Sequence, residues 1–205
     1  MNIELHNIGK RFNNDWIFRN LNLNFSNNNS YTITGSNGSG KSTLLQIILG
    51  FVLPTEGQID YTENDSIIDT NNIFSTSSIA APYIELIEEM TAIEFLEFHL
   101  KFKPLINTKS FEEILESVQL LKAKDKQIRF FSSGMKQRLK LAQAFFSDTN
   151  ILLLDEPCSN LDQEGILLYH KLIKEYTKNR LLIICSNEEQ EYSFCNINYD
   201  LNILK

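Results

Sequence analysis

The residues Gly35-Ser36-Asn37-Gly38-Ser39-Gly40-Lys41-Ser42 constrain this chain more than any other stretch. They fit the pattern G-x-x-x-x-G-K-[ST], and their flanks fit it too. Ahead of them Tyr31-Thr32-Ile33-Thr34 reads as a short strand, and behind them Leu44, Leu45, Ile47 and Ile48 recur at helical spacing. A strand, a glycine-rich turn and a helix in this order form a phosphate cradle. Glycines let backbone N–H groups turn inward, and the helix N-terminus adds its dipole. Lys41 is placed to reach the outer phosphates and Ser42 to ligate a divalent cation, with Thr43 next along the cradle. A plain Gly/Ser turn before a helix is the competing reading. It leaves the agreement of strand, lysine, hydroxyl and helix unexplained.

A second signal is Ile151-Leu152-Leu153-Leu154-Asp155-Glu156. A continuous apolar run suits a strand buried on both faces of a parallel sheet. Its two terminal acids then lie at the carboxyl edge, where such sheets bind ligands. Asp155 suits a Mg²⁺ site and Glu156 suits polarisation of an attacking water. The third signal is Phe131-Ser132-Ser133-Gly134-Met135-Lys136-Gln137-Arg138, which opens an apolar-periodic helix. Ser132 and the Gly134 backbone at that helix start make a second candidate anion site, more than one nucleotide in one copy needs.

The rest of the chain reads as a frame for these signals. Residues 3–8 and 21–25 alternate as half-buried antiparallel strands, with two exposed-looking aromatics, Phe12 and Trp16, in the turn between them. Asn27-Asn28-Asn29 turns the chain into the cradle strand. Gly50, Pro54 and Gly57 bound a loop before a short strand at 58–61, and residues 62–78 give no clear pattern. Residues 79–83 read as a strand running into a loop. Thr91 with Glu94, and Ser110 with Glu113, are capping boxes that start helices. Residues 82–146 therefore read as a helical insert, and 1–81 with 147–205 as the core of one domain. A helix with Ile166, Tyr169, Leu172, Ile173 and Tyr176 on one face, a buried strand at 181–185, and a helical turn with an edge strand complete the chain.

With 19 basic against 26 acidic side chains, the net charge of −7 disfavours a nucleic-acid partner. Cys158, Cys185 and Cys195 are scattered and odd in number, which suits reduced thiols. The start of the chain lacks the charge and apolar pattern of a signal peptide, and no apolar run reaches membrane-spanning length.

Taken together, these motifs resemble the nucleotide-binding subunit of bacterial-type ATP-binding-cassette (ABC) transporters over residues 3–190. Residues 35–42 are similar to the Walker A motif, 151–156 to Walker B with its catalytic glutamate, 131–135 to the LSGGQ signature, and 159–162 to the D-loop. The resemblance implies an α/β P-loop NTPase (RecA-like) parallel core with an N-terminal antiparallel β-subdomain and an inserted α-helical subdomain. It implies ATP and Mg²⁺ as ligands. It also implies a head-to-tail dimer with a second copy or a homologous ATPase subunit, docked on integral membrane permease subunits at the cytoplasmic face of the inner membrane. In that frame Phe12 stacks on adenine, with Trp16 as the alternative. Residues 83–90, rich in acids and apolar side chains, become the expected permease contact.

Three departures stand out. Ser133 and Met135 replace a glycine and a glutamine of the signature. No amide stands at Ala81-Pro82, where the family has its Q-loop glutamine, which leaves Glu85 or Glu88 to sense the metal and the partner. Asn187 occupies the place of the switch histidine. These losses point to slow hydrolysis. They keep open a regulatory ATP sensor, beside a non-transport ABC ATPase of DNA repair or ribosomes. The repair type carries a long coiled coil between P-loop and signature, but only about ninety positions separate Lys41 from Ser132 here.

Overall fold

The computed structural model describes residues 1–27, 29–64, 66–106 and 109–204. Asn28, in the middle of the expected asparagine turn, lies outside them. The chain runs β1 (Asn2–Phe12), β2 (Asp15–Ser26), β3 (Ser30–Thr34), α1 (Lys41–Ile48), β4 (Glu56–Glu63), β5 (Ser66–Ile67), α2 (Ile73–Thr76) and β6 (Ser77–Ala80). It continues through α3 (Ala92–Leu100), α4 (Phe111–Ser117), α5 (Ser133–Phe146), β7 (Ile151–Asp155), α6 (Gln163–Tyr176), β8 (Leu181–Cys185), α7 (Glu189–Tyr192) and β9 (Ile197–Asp200).

Two sheets result. The first is antiparallel, in the order β2-β1-β4-β5. The second is parallel throughout, in the order β6-β7-β8-β3-β9. Its central strands β7 and β8 are apolar on both faces, and the two-residue side-chain period divides their residues. Ile151, Leu153, Leu181, Ile183 and Ile33 pack toward α1 and the antiparallel sheet. Leu152, Leu154, Leu182 and Ile184 pack toward α5 and α6. The residues of β7 and β8 are buried along their whole length, each large apolar side chain contributing about 2 kcal/mol. Phe25, Tyr31 and Tyr199 tie the two sheets together, the Phe25 and Tyr31 ring centroids lying 5.0 Å apart, edge to face.

Both capping boxes are formed. Thr91 and Ser110 accept from the N–H groups of Glu94 and Glu113, and each glutamate returns a bond to its cap residue. Phe111, Ile114, Leu115, Val118 and Leu121 recur at helical spacing in the sequence, but α4 stops at Ser117 and Gln119 turns left-handed with φ 60°. The first hairpin is longer than its alternation suggests. Asn7, Asn13 and Asn20 adopt positive φ, making a tight Asn13-Asn14 turn and bulges that break the two-residue pattern.

The strand expected at 79–83 is corrected to Ser77–Ala80, and residues 82–83 form a turn. Ser77 and Ser78 look like loop residues in sequence. In the fold their hydroxyls donate to the Ile73 and Ala144 carbonyls at 2.8 Å each, so they sit buried at no cost in unmade hydrogen bonds.

Candidate functional site

Strand order explains the site. β3 lies beside β8, and β8 beside β7, so the carboxyl ends of all three converge. The cradle leaves β3, Asp155 and Glu156 end β7, and residues 186–188 leave β8. Residues 150 positions apart thus become neighbours.

The loop before α1 needs its glycines. Gly40 has φ 101°, and a Cβ there would come within 2.4 Å of Ile17 Cγ2. The Lys41 ammonium reaches back to donate to the Gly35 carbonyl at 2.6 Å, with the Ser36 carbonyl at 3.4 Å. A cleft of about 380 Å³ opens over the loop, lined by Ile17, residues 37–43 and Glu156. A second cleft of about 340 Å³ shares Asn37 and Glu156 with it, and adds Ser159, Asn187 and Glu191. The structure therefore brings together the loop, Glu156 and Asn187. Gly35 N–H donates to Asn187 Oδ1 at 3.3 Å, and Asn187 Nδ2 donates to Asn37 Oδ1 at 3.4 Å.

Asp155 is only 2% exposed, and neither carboxylate oxygen has a hydrogen-bond partner among the described residues. Burial pushes its carboxyl up to about 6. The neighbouring Glu156 pushes the same way. The Ser42 hydroxyl and Lys41 oppose, Ser42 facing the carboxylate without completing a hydrogen bond. A buried anion with both oxygens free is costly unless something electropositive answers it. A carboxylate beside a hydroxyl is a hard oxygen donor set, and a Mg²⁺ that keeps waters and phosphate oxygens needs no more from the protein. These residues fit that ion.

Ser132, Ser133 and Gly134 do not join this cluster. They lie in a separate cleft of about 380 Å³ with Arg138, Asn160 and Asp162, sharing no lining residue with the loop cleft. Ser132 caps α5 by accepting from Met135 N–H at 3.2 Å. A Cβ on Gly134 would meet the Asn160 carbonyl at 3.0 Å, so the small residue lets the two segments meet. Phe12 ends β1 at the hairpin tip, 48% exposed, with the Lys10 ammonium 4.8 Å from its ring centroid, and is not among the residues lining the loop cleft. The Trp16 ring is engaged by Arg11 and Arg19, whose guanidinium carbons lie 5.4 and 4.5 Å from its centroid. Glu85 and Glu88, the expected substitutes for the missing amide, line a different groove with Lys136 and Lys140, and Glu88 pairs with Lys136.

Other residues at the site escape a reading by motif. Tyr83 lies near the end of β7. Burial raises its phenol and the Asp155 carboxylate adds to the shift, while the Gln46 side chain opposes. Asn202, in the turn after β9, accepts from both the backbone N–H and the hydroxyl of Ser36, at 3.2 and 3.0 Å. Ile17 packs on the loop at Gly40. Only Asn202 has a sequence cue, an Asx residue just past a strand, and that cue is too common to use.

The sequence profile of the ABC transporter family matches residues 18–159. The chain belongs to the ABC transporter family. It is 30% identical over 202 residues to an uncharacterised ABC transporter ATP-binding protein, YybJ, of Bacillus subtilis, covering 98% of this chain and 92% of YybJ. It is 32% identical over 164 residues to the bacitracin transport ATP-binding protein BcrA of Bacillus licheniformis, covering 80% of this chain and 54% of BcrA. The fold matches a putative ABC transporter ATP-binding protein of Pyrococcus furiosus with a TM-score of 0.83 at 22% identity, covering 99% and 98% of the two chains. It matches MJ0796, a bacterial ABC transporter cassette with a dimeric structure, with a TM-score of 0.77 at 25% identity, covering 97% and 94%. This chain is the ATP-binding and ATP-hydrolysing subunit of an ABC transporter. Among the described residues no helix is long and apolar enough to cross a membrane.

Proposed function

We propose that residues 35–43 of this ABC ATPase grip the triphosphate of ATP, with Lys41 leaving the loop carbonyls for the outer phosphates. Ser42 and Asp155 would hold Mg²⁺, which when bound neutralises charge on the phosphate oxygens. Glu156 orients and polarises the attacking water, and Asn187 contacts the γ-phosphate weakly from the neighbouring strand end. Phe12 takes the adenine ring. The observation that carries this reading is the Asp155 carboxylate, buried without a partner beside Ser42 and Lys41.

The signature cleft and the loop cleft of one copy share no lining residue. That separation supports a composite site in which Ser132, Ser133 and Gly134 of one subunit close on the cradle of another, head to tail. The partner is a second copy or a homologous subunit. Within each copy, 82–146 acts as the helical unit that carries the signature, and 1–81 with 147–205 as the nucleotide-binding core. The groove of about 330 Å³ lined by Pro82, Ile84, Glu85, Leu86, Glu88 and Lys136 supports docking of permease subunits, at the cytoplasmic face of the inner membrane. Glu156→Gln tests the composite site. It keeps shape and Mg-ATP binding while removing the base, so gel filtration with Mg-ATP is expected to show a dimer that the unsubstituted chain does not accumulate. ATP-loaded monomer alone would reject the head-to-tail reading.

A further inference from the structure

Glu156 stands on strained backbone. Its φ is 44°, a left-handed conformation that costs a non-glycine residue about 1–2 kcal/mol. Such a residue persists only where its surroundings over-determine it. Backbone bonds do part of this. Glu156 N–H donates to the Cys185 carbonyl at 2.9 Å, and Ser159 N–H donates to the Glu156 carbonyl at 3.0 Å.

Two buried side chains do the rest. Gln137, 4% exposed on α5, donates from Nε2 to the Pro157 carbonyl at 2.7 Å. Glu191, 3% exposed on α7, accepts from the Cys158 N–H with Oε1 at 2.8 Å. α7 is itself pinned, since the Tyr169 hydroxyl donates to the Glu191 carbonyl at 2.7 Å. The remaining Glu191 oxygen, Oε2, is buried without a partner, and the residue lines the same cleft as Glu156 and Asn187. What the turn takes from Glu191 is the acceptor at Oε1, which a neutral amide of the same length also supplies.

We propose that Gln137 and Glu191 are positioning residues that clamp the turn at 156–159 from two helices, α5 and α7, and hold the Glu156 carboxylate in its working direction. Gln137 sits one turn into the helix that Ser132 caps. The clamp therefore links the signature helix of a subunit to that subunit's own base, and Glu191 links the base to the loop carrying Asn187. The inference rests on Glu156 acting as the base.

The test compares Glu191→Gln with Glu191→Met in the full chain, by steady-state ATPase kinetics. Both lack the charge and are of similar length, but only Gln retains an acceptor for the Cys158 N–H. Glu191→Gln is expected to keep kcat within about threefold, and Glu191→Met to lose about tenfold or more in kcat with little change in KM, as misplacement of a reacting group does. Equal rates for the two variants, or a loss confined to KM, would overturn the clamp. Gln137→Met removes the other tether and is expected to lower kcat in the same way. It decides the matter if Glu191→Met fails to fold, and a normal kcat there rejects the proposal. Glu156→Gln run in parallel separates the two failures. If it hydrolyses ATP normally, the base is misassigned, whereas an inactive Glu156→Gln beside fully active clamp variants refutes the clamp.

Discussion

Asp155→Asn is expected to make the nucleotide-free protein more stable at neutral pH and no more stable in acid. Burial holds the Asp155 carboxyl at about 6, against an ordinary 3.8. The folded state therefore binds this proton more tightly than the unfolded state does. Stability from the group is fully present only well below pH 3.8, and it is lost as pH rises through 6. A difference of about two units corresponds to about 3 kcal/mol in full, of which about 2 kcal/mol falls between pH 4 and pH 7.5. Those two values straddle the isoelectric point near 5.0, where solubility is lowest. Other titrating groups are common to both proteins and largely cancel in the difference. An asparagine amide at the same place also lacks partners, but that deficit does not change with pH.

The measurement is urea unfolding by circular dichroism for both proteins, without nucleotide or divalent cations. The stability of Asp155→Asn relative to the parent should rise by about 2 kcal/mol from pH 4 to pH 7.5. Saturating Mg-ATP should then reverse the order, since a ligand at a hundredfold its Kd adds about 2.7 kcal/mol to the protein that binds it. A difference that stays flat with pH would show that the Asp155 carboxylate is solvated or paired, and the argument for a metal site would go with it.

Lys41→Ala should weaken ATP binding by about 2–3 kcal/mol, because it removes the ammonium that now lies on the Gly35 carbonyl, and titration calorimetry reads this directly. Asn187→His should raise kcat and Asn187→Ala should lower it, each by about three- to tenfold, with ATP affinity nearly constant; two rates equal to the parent's would remove Asn187 from the mechanism. Reversing charge at Glu85 and Glu88 should abolish co-purification with the permease and spare basal hydrolysis. The exposed Glu88–Lys136 pair that it breaks contributes at most about 1 kcal/mol, so intact co-purification could not be blamed on misfolding and would reject the docking groove.

What could be read from the sequence divides along one line. Features built from consecutive residues are plain. Ile151 to Leu154 announce a strand buried on both faces, Thr91 and Ser110 announce their helices, and 35–42 announce the cradle, because each rests on local periodicity or local hydrogen bonds. Features made by strand order are silent. Nothing in Glu191 marks it as buried against Cys158, and nothing in Asn202 marks it as a partner of Ser36, until β8 and β9 are placed on either side of β3. The same holds for Glu85 and Glu88. Their charge suggests a link to the metal, yet the turn at 82–83 directs Glu88 to Lys136 on α5 and leaves Tyr83 near Asp155. Motifs here locate the groups that would do chemistry. The groups that orient them come from whichever strand or helix the topology lays alongside. Glu156 illustrates the division. Its identity is legible from a run of leucines, but its left-handed backbone is set by Cys185 on the next strand, with Gln137 and Glu191 holding the turn that follows. Substitutions in that surrounding set should therefore alter turnover more than nucleotide affinity.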